Sequence, residues 1–360
     1  MENPSRKLNV HAVVLAGGAG RRLWPASTPE RPKPLLPLIG GRSLVAETVD
    51  RAARLCGEDR VTVLARQPLL DTMRDALSPW PGVHLLAEPE ARGTAPALVF
   101  AAHELEREHP GAVMVALPSD HLVRPVRELG SSLRVAEDLA RNGHLCCLGV
   151  TAAGAEPGYG HILTGTGLGG GAWRIKAFVE KPDPRHAAAL AADGCLWNTG
   201  IFVFGCADLL AVSAEVAPEL AGGLKTLGQD GPGTFFRAVR PVSIDVAVME
   251  RTNRAAVVLG QFEWDDLGTW EAVARRLGAG RGGGQAGAAT RNVDSGDNVV
   301  WAEGRRVTLL GVTGLAVVES GGEILVADRD QLHRLSKLDL SSPPGPASGG
   351  DRAGPRTGAE

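Results

Sequence analysis

Apolar residues in the first two-thirds of the chain follow two alternating patterns. Short, nearly continuous runs bounded by turn residues ("HAVVLAGG", "RVTVLA", "VHLLAEP", "AVMVALPSDH") read as buried parallel strands. Between them, "SLVAETVDRAARLC", "LLDTMRDAL" and "APALVFAAHELEREH" repeat their apolar positions with the period of a helix that buries one face. Strands alternating with helices predict an α/β domain: a Rossmann-like, mostly parallel mixed sheet flanked by helices. Ligands of such sheets bind beyond the carboxyl ends of the strands. Two polar segments lie at such ends, the glycines after the first run and "PSDH" after the fourth.

The pattern changes near residue 280. "GAGRGGGQAGAA" reads as a flexible connection. "NVVWAEG", "RVTLLGV", "LAVVES" and "EILVADR" are short strand-like runs separated by turns, with no long helix before "RDQLHRLSKL". They predict a small β-rich unit built as a solenoid of few coils. The tail from Ser341 is rich in Pro, Gly and Ser and reads as disordered. The expected organisation is residues 1–280 as the α/β domain, 281–340 as the β-rich domain and 341–360 as a tail.

Composition narrows the classes. The chain has 360 residues and a formal net charge of −3, which gives no reason to expect nucleic acid as a partner. No apolar run is long enough to span a membrane, and the polar N-terminus lacks a signal-peptide core. The five cysteines form no C-x-x-C pair, so neither a zinc site nor a disulfide framework is expected, and a cytoplasmic location is.

The candidate chemistry begins in "VVLAGGAGRRLWPASTPERPKPLLPL". Glycine lets backbone N–H groups approach a ligand, and Arg21, Arg22 and Lys33 mark that ligand as anionic. A P-loop needs Lys-Ser or Lys-Thr after its glycines, and neither is present. A dinucleotide fingerprint needs a third glycine where Leu23 stands. What remains is G-G-x-G-x-R-L with "RPKPLLPL" downstream.

Together with "EPEARGTAPA", "LPSDH", "GYGHI", "FVEKPD", "LWNTGIFVF", "SIDVAVME" and "WDDLGTW", in this order, the loop resembles the signature of sugar-nucleotide pyrophosphorylases. These are nucleotidyltransferases that act on sugar 1-phosphates. Within that family the motifs are similar to the mannose-1-phosphate guanylyltransferase branch over roughly residues 10–280, and the β-rich remainder is similar to its C-terminal domain, a left-handed β-helix. The resemblance implies GTP and mannose 1-phosphate as substrates, GDP-mannose and pyrophosphate as products, Mg²⁺ as cofactor and a homodimer as one assembly. It assigns Leu15, Ala16, Gly17, Gly18, Gly20, Arg21, Arg22, Lys33, Gly93, Thr94, Pro118 and Asp120 to the nucleotide. Gly160, Glu180, Lys181, Asn198 and Asp245 fall to the sugar phosphate, and Asp120 and Asp266 to the metal. Arg22, Lys33, Asp120 and Asp266 are the expected catalytic group.

Some readings stay open beside it. Asp265 is expected to be a solvated or supporting carboxylate, His121 a structural hydrogen-bonder, and Trp197 and Trp270 core packing. Gly93 and Ser119 replace the branch's Asn and Ala, and "PKPLLPL" replaces P-K-Q-F-L-P-L. Gly93 therefore implies looser discrimination of the base, which Gly93→Asn should tighten. Neighbouring activities are transfer from another triphosphate or to a heptose or glucose type of phosphate. A non-catalytic regulatory homologue commonly loses parts of the phosphate loop, which here are all present.

Overall fold

The structure, a computed structural model, describes residues 7–18, 20–277, 284–287 and 290–338, excluding the side chains of Arg21 and 284–287. The expected tail at 341–360 lies outside the described residues.

The α/β domain is built in chain order from β1 (His11–Leu15), α1 (Leu44–Cys56), β2 (Val61–Arg66), α2 (Leu70–Ala76), β3 (His84–Glu88), α3 (Thr94–Glu108) and β4 (Val113–Pro118). Then come β5 (Leu122–Arg124), α4 (Val126–Arg141), β6 (Leu145–Thr151), β7 (His161–Gly169), β8 (Ala172–Val179), α5 (Pro184–Ala192) and β9 (Leu196–Gly205). The helices α6 (Cys206–Val216), α7 (Pro218–Asp230) and α8 (Pro232–Ala238) precede β10 (Ala255–Leu259), β11 (Glu263–Asp265) and α9 (Trp270–Arg276). Nine strands form one sheet in the order β3-β2-β1-β4-β9-β6-β10-β8-β7. β3, β2, β1 and β4 are parallel, as are β6 and β10, while β9 runs against both β4 and β6. The antiparallel β9 makes the sheet mixed.

Strands this apolar must be covered on both faces. One face is buried by α3 and α6–α8, with Phe100, Phe204, Phe235 and Phe236 in the core. The other is buried by α1, α2 and α4, with Val14, Val49, Met73 and Leu133. Ser43 caps α1 by accepting from the Ala46 N–H. All five cysteines are free and buried.

Beyond α9 the chain forms β12 (Gly284–Gly287), β13 (Thr290–Val293), β14 (Val299–Ala302), β15 (Val307–Leu310), β16 (Leu315–Ser320) and β17 (Glu323–Asp328). β12, β14 and β16 stack in parallel, and so do β13 and β15. Thr290 pairs with Val307, Gly296 with Thr313 and Val299 with Ala316, so one coil takes seventeen residues. Within the expected bounds of the β-rich domain, part of the glycine-rich connection is strand, because backbone pairing needs no side chain. "RDQLHRLSKL" forms a 3₁₀ helix over Arg329–Lys337.

The solenoid packs onto the first domain through Trp301, Val318, Leu332 and Leu335, against Leu23, Leu36, Leu38, Leu267 and Trp270. These partners belong to the glycine loop, "PKPLLPL" and "WDDLGTW", so the small domain supports the segments that carry the candidate chemistry.

Candidate active site

The exits of β1 and β4 meet, because Leu15 pairs with Pro118 in register and the Ser119 N–H donates to the Leu15 carbonyl. After β1, among the described residues, the N–H groups of Gly17 and Gly18 donate to no protein group. Such orphan donors at a strand exit can take phosphate oxygens. Gly20 sits at φ 61°, and a Cβ there would lie 2.6 Å from both the Lys33 Cβ and the Ser27 Oγ. The loop can fold down onto Lys33 only because residue 20 lacks a side chain.

Lys33 is the centre of the site. It is buried in a 3₁₀ turn over Lys33–Leu35, and its ammonium reaches Asp120 Oδ2 at 2.7 Å and the Asp266 carbonyl at 2.5 Å. Two of the four expected catalytic residues are thus gathered on a third. Arg22 completes the set: a Cβ on Gly268 would lie 2.7 Å from Asp266 Oδ2 and 2.9 Å from Arg22 Nη2. Burial alone would raise the Asp120 carboxyl, but the Lys33 charge and hydrogen bond outweigh it and hold the group below its usual range. Asp120 is therefore a carboxylate at neutral pH. Asp266 Oδ1 accepts from the Gly268 N–H at 3.0 Å and from the Tyr159 hydroxyl at 3.4 Å. The donor set is all oxygen, which suits a hard divalent cation completed by phosphates and water.

His121 is a hydrogen-bonder, as expected. Its Nδ1 accepts from the Trp264 indole N–H at 3.2 Å, and burial lowers its pKa, keeping the ring neutral. Asp265 is not solvated: it is buried and accepts from the Leu267 N–H and from Arg276 Nε, each at 3.0 Å. It tethers the turn that carries Asp266. Trp270 is core, its ring tilted 48° to that of Trp301 with 5.6 Å between their centres. Trp197 is only half-buried; its ring meets Tyr159, and its buried indole N–H has no partner among the described residues.

At the other end of the cleft, Gly160, Glu180, Asn198 and Asp245 come together. A Cβ on Gly160 would lie 2.7 Å from Glu180 Oε2 and 3.1 Å from the Asn198 Cβ. Asn198 donates from Nδ2 to Asp245 Oδ1 at 2.8 Å and accepts from the Gly200 N–H at 3.1 Å. Lys181, at φ 47°, turns its ammonium back onto Glu180. Burial and the Glu180 charge push the Asp245 carboxyl up to about 6.

The base-side segment behaves differently from expectation. Gly93 sits at φ 86°, ψ 178°, where a Cβ would lie 2.5 Å from the Val242 carbonyl oxygen. Asparagine cannot be restored there without moving backbone, so Gly93→Asn is a steric lesion and no gain of base selectivity. Thr94 Oγ1 accepts from the Ile244 N–H at 2.9 Å, fixing α3 to the start of "SIDVAVME".

One residue escaped the sequence reading. Glu88, at the exit of β3, is buried, and its Oε2 lies 3.1 Å from where a Gly17 side chain would begin. Burial pushes its carboxyl up to about 7, against the backbone N–H of Arg92 and the Arg66 charge. The signal was an acid ending an apolar, strand-like run.

Geometry and kinship agree. Residues 11–276 match the nucleotidyl transferase family, and the chain belongs to it. It is 31% identical over 344 residues to the xanthan biosynthesis protein XanB of Xanthomonas campestris, covering 92% of this chain and 72% of that one. It is 31% identical over 357 residues to a mannose-1-phosphate guanylyltransferase of Escherichia coli, with 90% and 72% covered. A crystal structure described as a mannose-1-phosphate geranyltransferase from Thermus thermophilus superposes with a TM-score of 0.84 at 32% identity, over 92% of this chain and 98% of that one.

Proposed function

We propose that the protein transfers a guanylyl group from GTP to mannose 1-phosphate, giving GDP-mannose and pyrophosphate. The observation that carries this reading is Lys33, whose buried ammonium joins Asp120 to Asp266 beside the open N–H groups of the glycine loop. The names of the curated relatives supply the base and the sugar.

An oxygen of the sugar phosphate attacks the α-phosphorus in line, and pyrophosphate leaves. The attacking oxygen is already ionised, so no general base is required. Catalysis is then positioning and charge neutralisation between two anions. Gly17, Gly18, Gly20 and Arg22 hold the triphosphate, with Arg21 beside them in sequence. Lys33 meets the charge that grows on the α-phosphate. Mg²⁺, held by Asp120 and Asp266, would supply charge neutralisation between the two phosphates when bound. Glu88 accepts the N–H donors of the guanine edge, while Leu15, Ala16, Gly93, Thr94 and Pro118 shape the wall around the nucleoside. Gly160 leaves room for the sugar ring, Glu180, Asn198 and Asp245 bind its hydroxyls, and Lys181 swings from Glu180 to its phosphate.

The reading extends to organisation. Residues 1–280 act as the catalytic domain, 281–340 as its support and 341–360 as a tail, in a cytoplasmic enzyme that can form a homodimer. No described helix is long and apolar enough to cross a membrane. Mass spectrometry of an incubation with GTP, mannose 1-phosphate and Mg²⁺ tests the reaction. GDP-mannose and one pyrophosphate per product are expected, and recovery of both substrates unchanged contradicts it.

A further inference from the structure

Residues of α1 and β5, with His121 and Leu267, line an open cavity of about 180 Å³. Arg51, Arg54 and Arg124 line it together with His121, Glu47 and Asp50. Arg54 is paired with Asp50 at 2.8 Å. Arg51 is different: only 6% exposed, it has no carboxylate within ion-pair distance among the described residues. Its Nη2 donates to Thr48 Oγ1 at 2.9 Å, and its buried Nε–H has no partner among the described residues. A buried, half-bonded guanidinium is costly, and the cost is relieved when an anion takes the free donors. The contrast with Lys33 is direct, since that buried cation has its carboxylate.

We propose that this cavity is a second anion site, which binds a phosphate-class tetrahedral dianion through the fork of Arg51, closed by Arg124 and Arg54. The local charges fit such a ligand. Glu47 is engaged by Arg42 and Asp50 by Arg54, so among the described residues Arg51 and Arg124 line the cavity with no carboxylate of their own within ion-pair distance, although the Glu47 and Asp50 charges act on Arg51. A guanidinium fork matches a phosphate with two parallel donors. The site also touches the catalytic loop, because Thr48 Oγ1 donates to the Ser119 carbonyl at 3.2 Å while receiving Arg51. The inference is independent of which nucleotide or sugar the cleft takes.

Calorimetric titration of inorganic phosphate into wild-type protein, Arg124→Ala and Lys33→Ala tests it. Arg124 is exposed and outside the catalytic group, so its removal leaves the fold intact. The expected result is a binding event that Lys33→Ala keeps and Arg124→Ala weakens about tenfold or more, with Arg51→Lys weakening it as well. Melting temperatures without phosphate identify any unfolded Arg51 variant, in which case Arg124→Ala and Arg54→Ala decide. Repeating the titration with a phosphate monoester distinguishes the sources. Equal affinity marks the free ion and tighter binding marks a phosphorylated metabolite, and both support the site. No binding event, or one lost in Lys33→Ala and unchanged in Arg124→Ala, overturns it.

Discussion

At the proposed nucleotide end of the cleft the N–H groups of Gly17 and Gly18 are open among the described residues and Arg22 is exposed, whereas at the proposed sugar end Asn198 is bonded to Asp245 and Lys181 to Glu180. The first end presents fixed, unsatisfied donors to a ligand whose charge changes in the reaction. On the proposed reading, the second must exchange these internal bonds for sugar hydroxyls. Losses at the first end should therefore appear in turnover, and losses at the second in substrate affinity.

The largest effects are expected where the two ends join. Asp120→Asn and Asp266→Asn should each lower kcat about 100- to 1,000-fold with the fold retained, and Lys33→Ala about 100-fold with little change in either KM. Steady-state kinetics with circular dichroism check this; a near-normal rate in either Asn variant removes that residue from the metal site. Gly93→Asn should destabilise the fold by roughly 2 kcal/mol, because a side chain at φ 86° meets the Val242 carbonyl. Denaturant unfolding measures it, and unchanged stability would show that the backbone yields there. Lys181→Ala should raise KM for the sugar phosphate about tenfold while leaving that for the nucleotide unchanged. An equal rise in both would move Lys181 to the nucleotide end.

The smallest effect concerns pH. The Glu88 carboxyl stands near 7 in the folded protein against 4.5 as its ordinary value. The folded state holds this proton more tightly, so its contribution to stability is full below about 4.5, falls as pH rises to about 7, and is flat above. Only the ionised carboxylate accepts guanine N–H donors, so GTP affinity should rise a few-fold as pH passes through 7. Glu88→Gln should flatten both profiles, and a GTP affinity independent of pH in wild type would exclude Glu88 from the base.

The nucleotide end was legible because its chemistry is written in one contiguous stretch: Gly17 to Arg22 and Lys33 lie close in sequence. The alternation of apolar runs likewise announced the sheet, although not the antiparallel β9, whose residues are as apolar as those of its parallel neighbours. The sugar end assembles from β7, β8, β9 and the turn at Asp245, so only resemblance could bring those residues together. Glu88 and Arg51 were missed for a related reason. Each looks like an ordinary charged residue, Glu88 at the end of a strand and Arg51 within a helix, and only burial sets it apart. Asp265 and Asp266 show the limit most plainly, since adjacent identical side chains have opposite environments: one is locked by Arg276, the other faces the cleft.

The most direct test of the account is initial-rate pyrophosphate release with GTP, ATP, UTP and dTTP, each paired with mannose 1-phosphate and glucose 1-phosphate, with and without Mg²⁺. GTP with mannose 1-phosphate should give the highest kcat/KM, with measurable but slower use of ATP and no turnover in excess chelator. Faster turnover of UTP or dTTP, or full activity without a divalent ion, would contradict it.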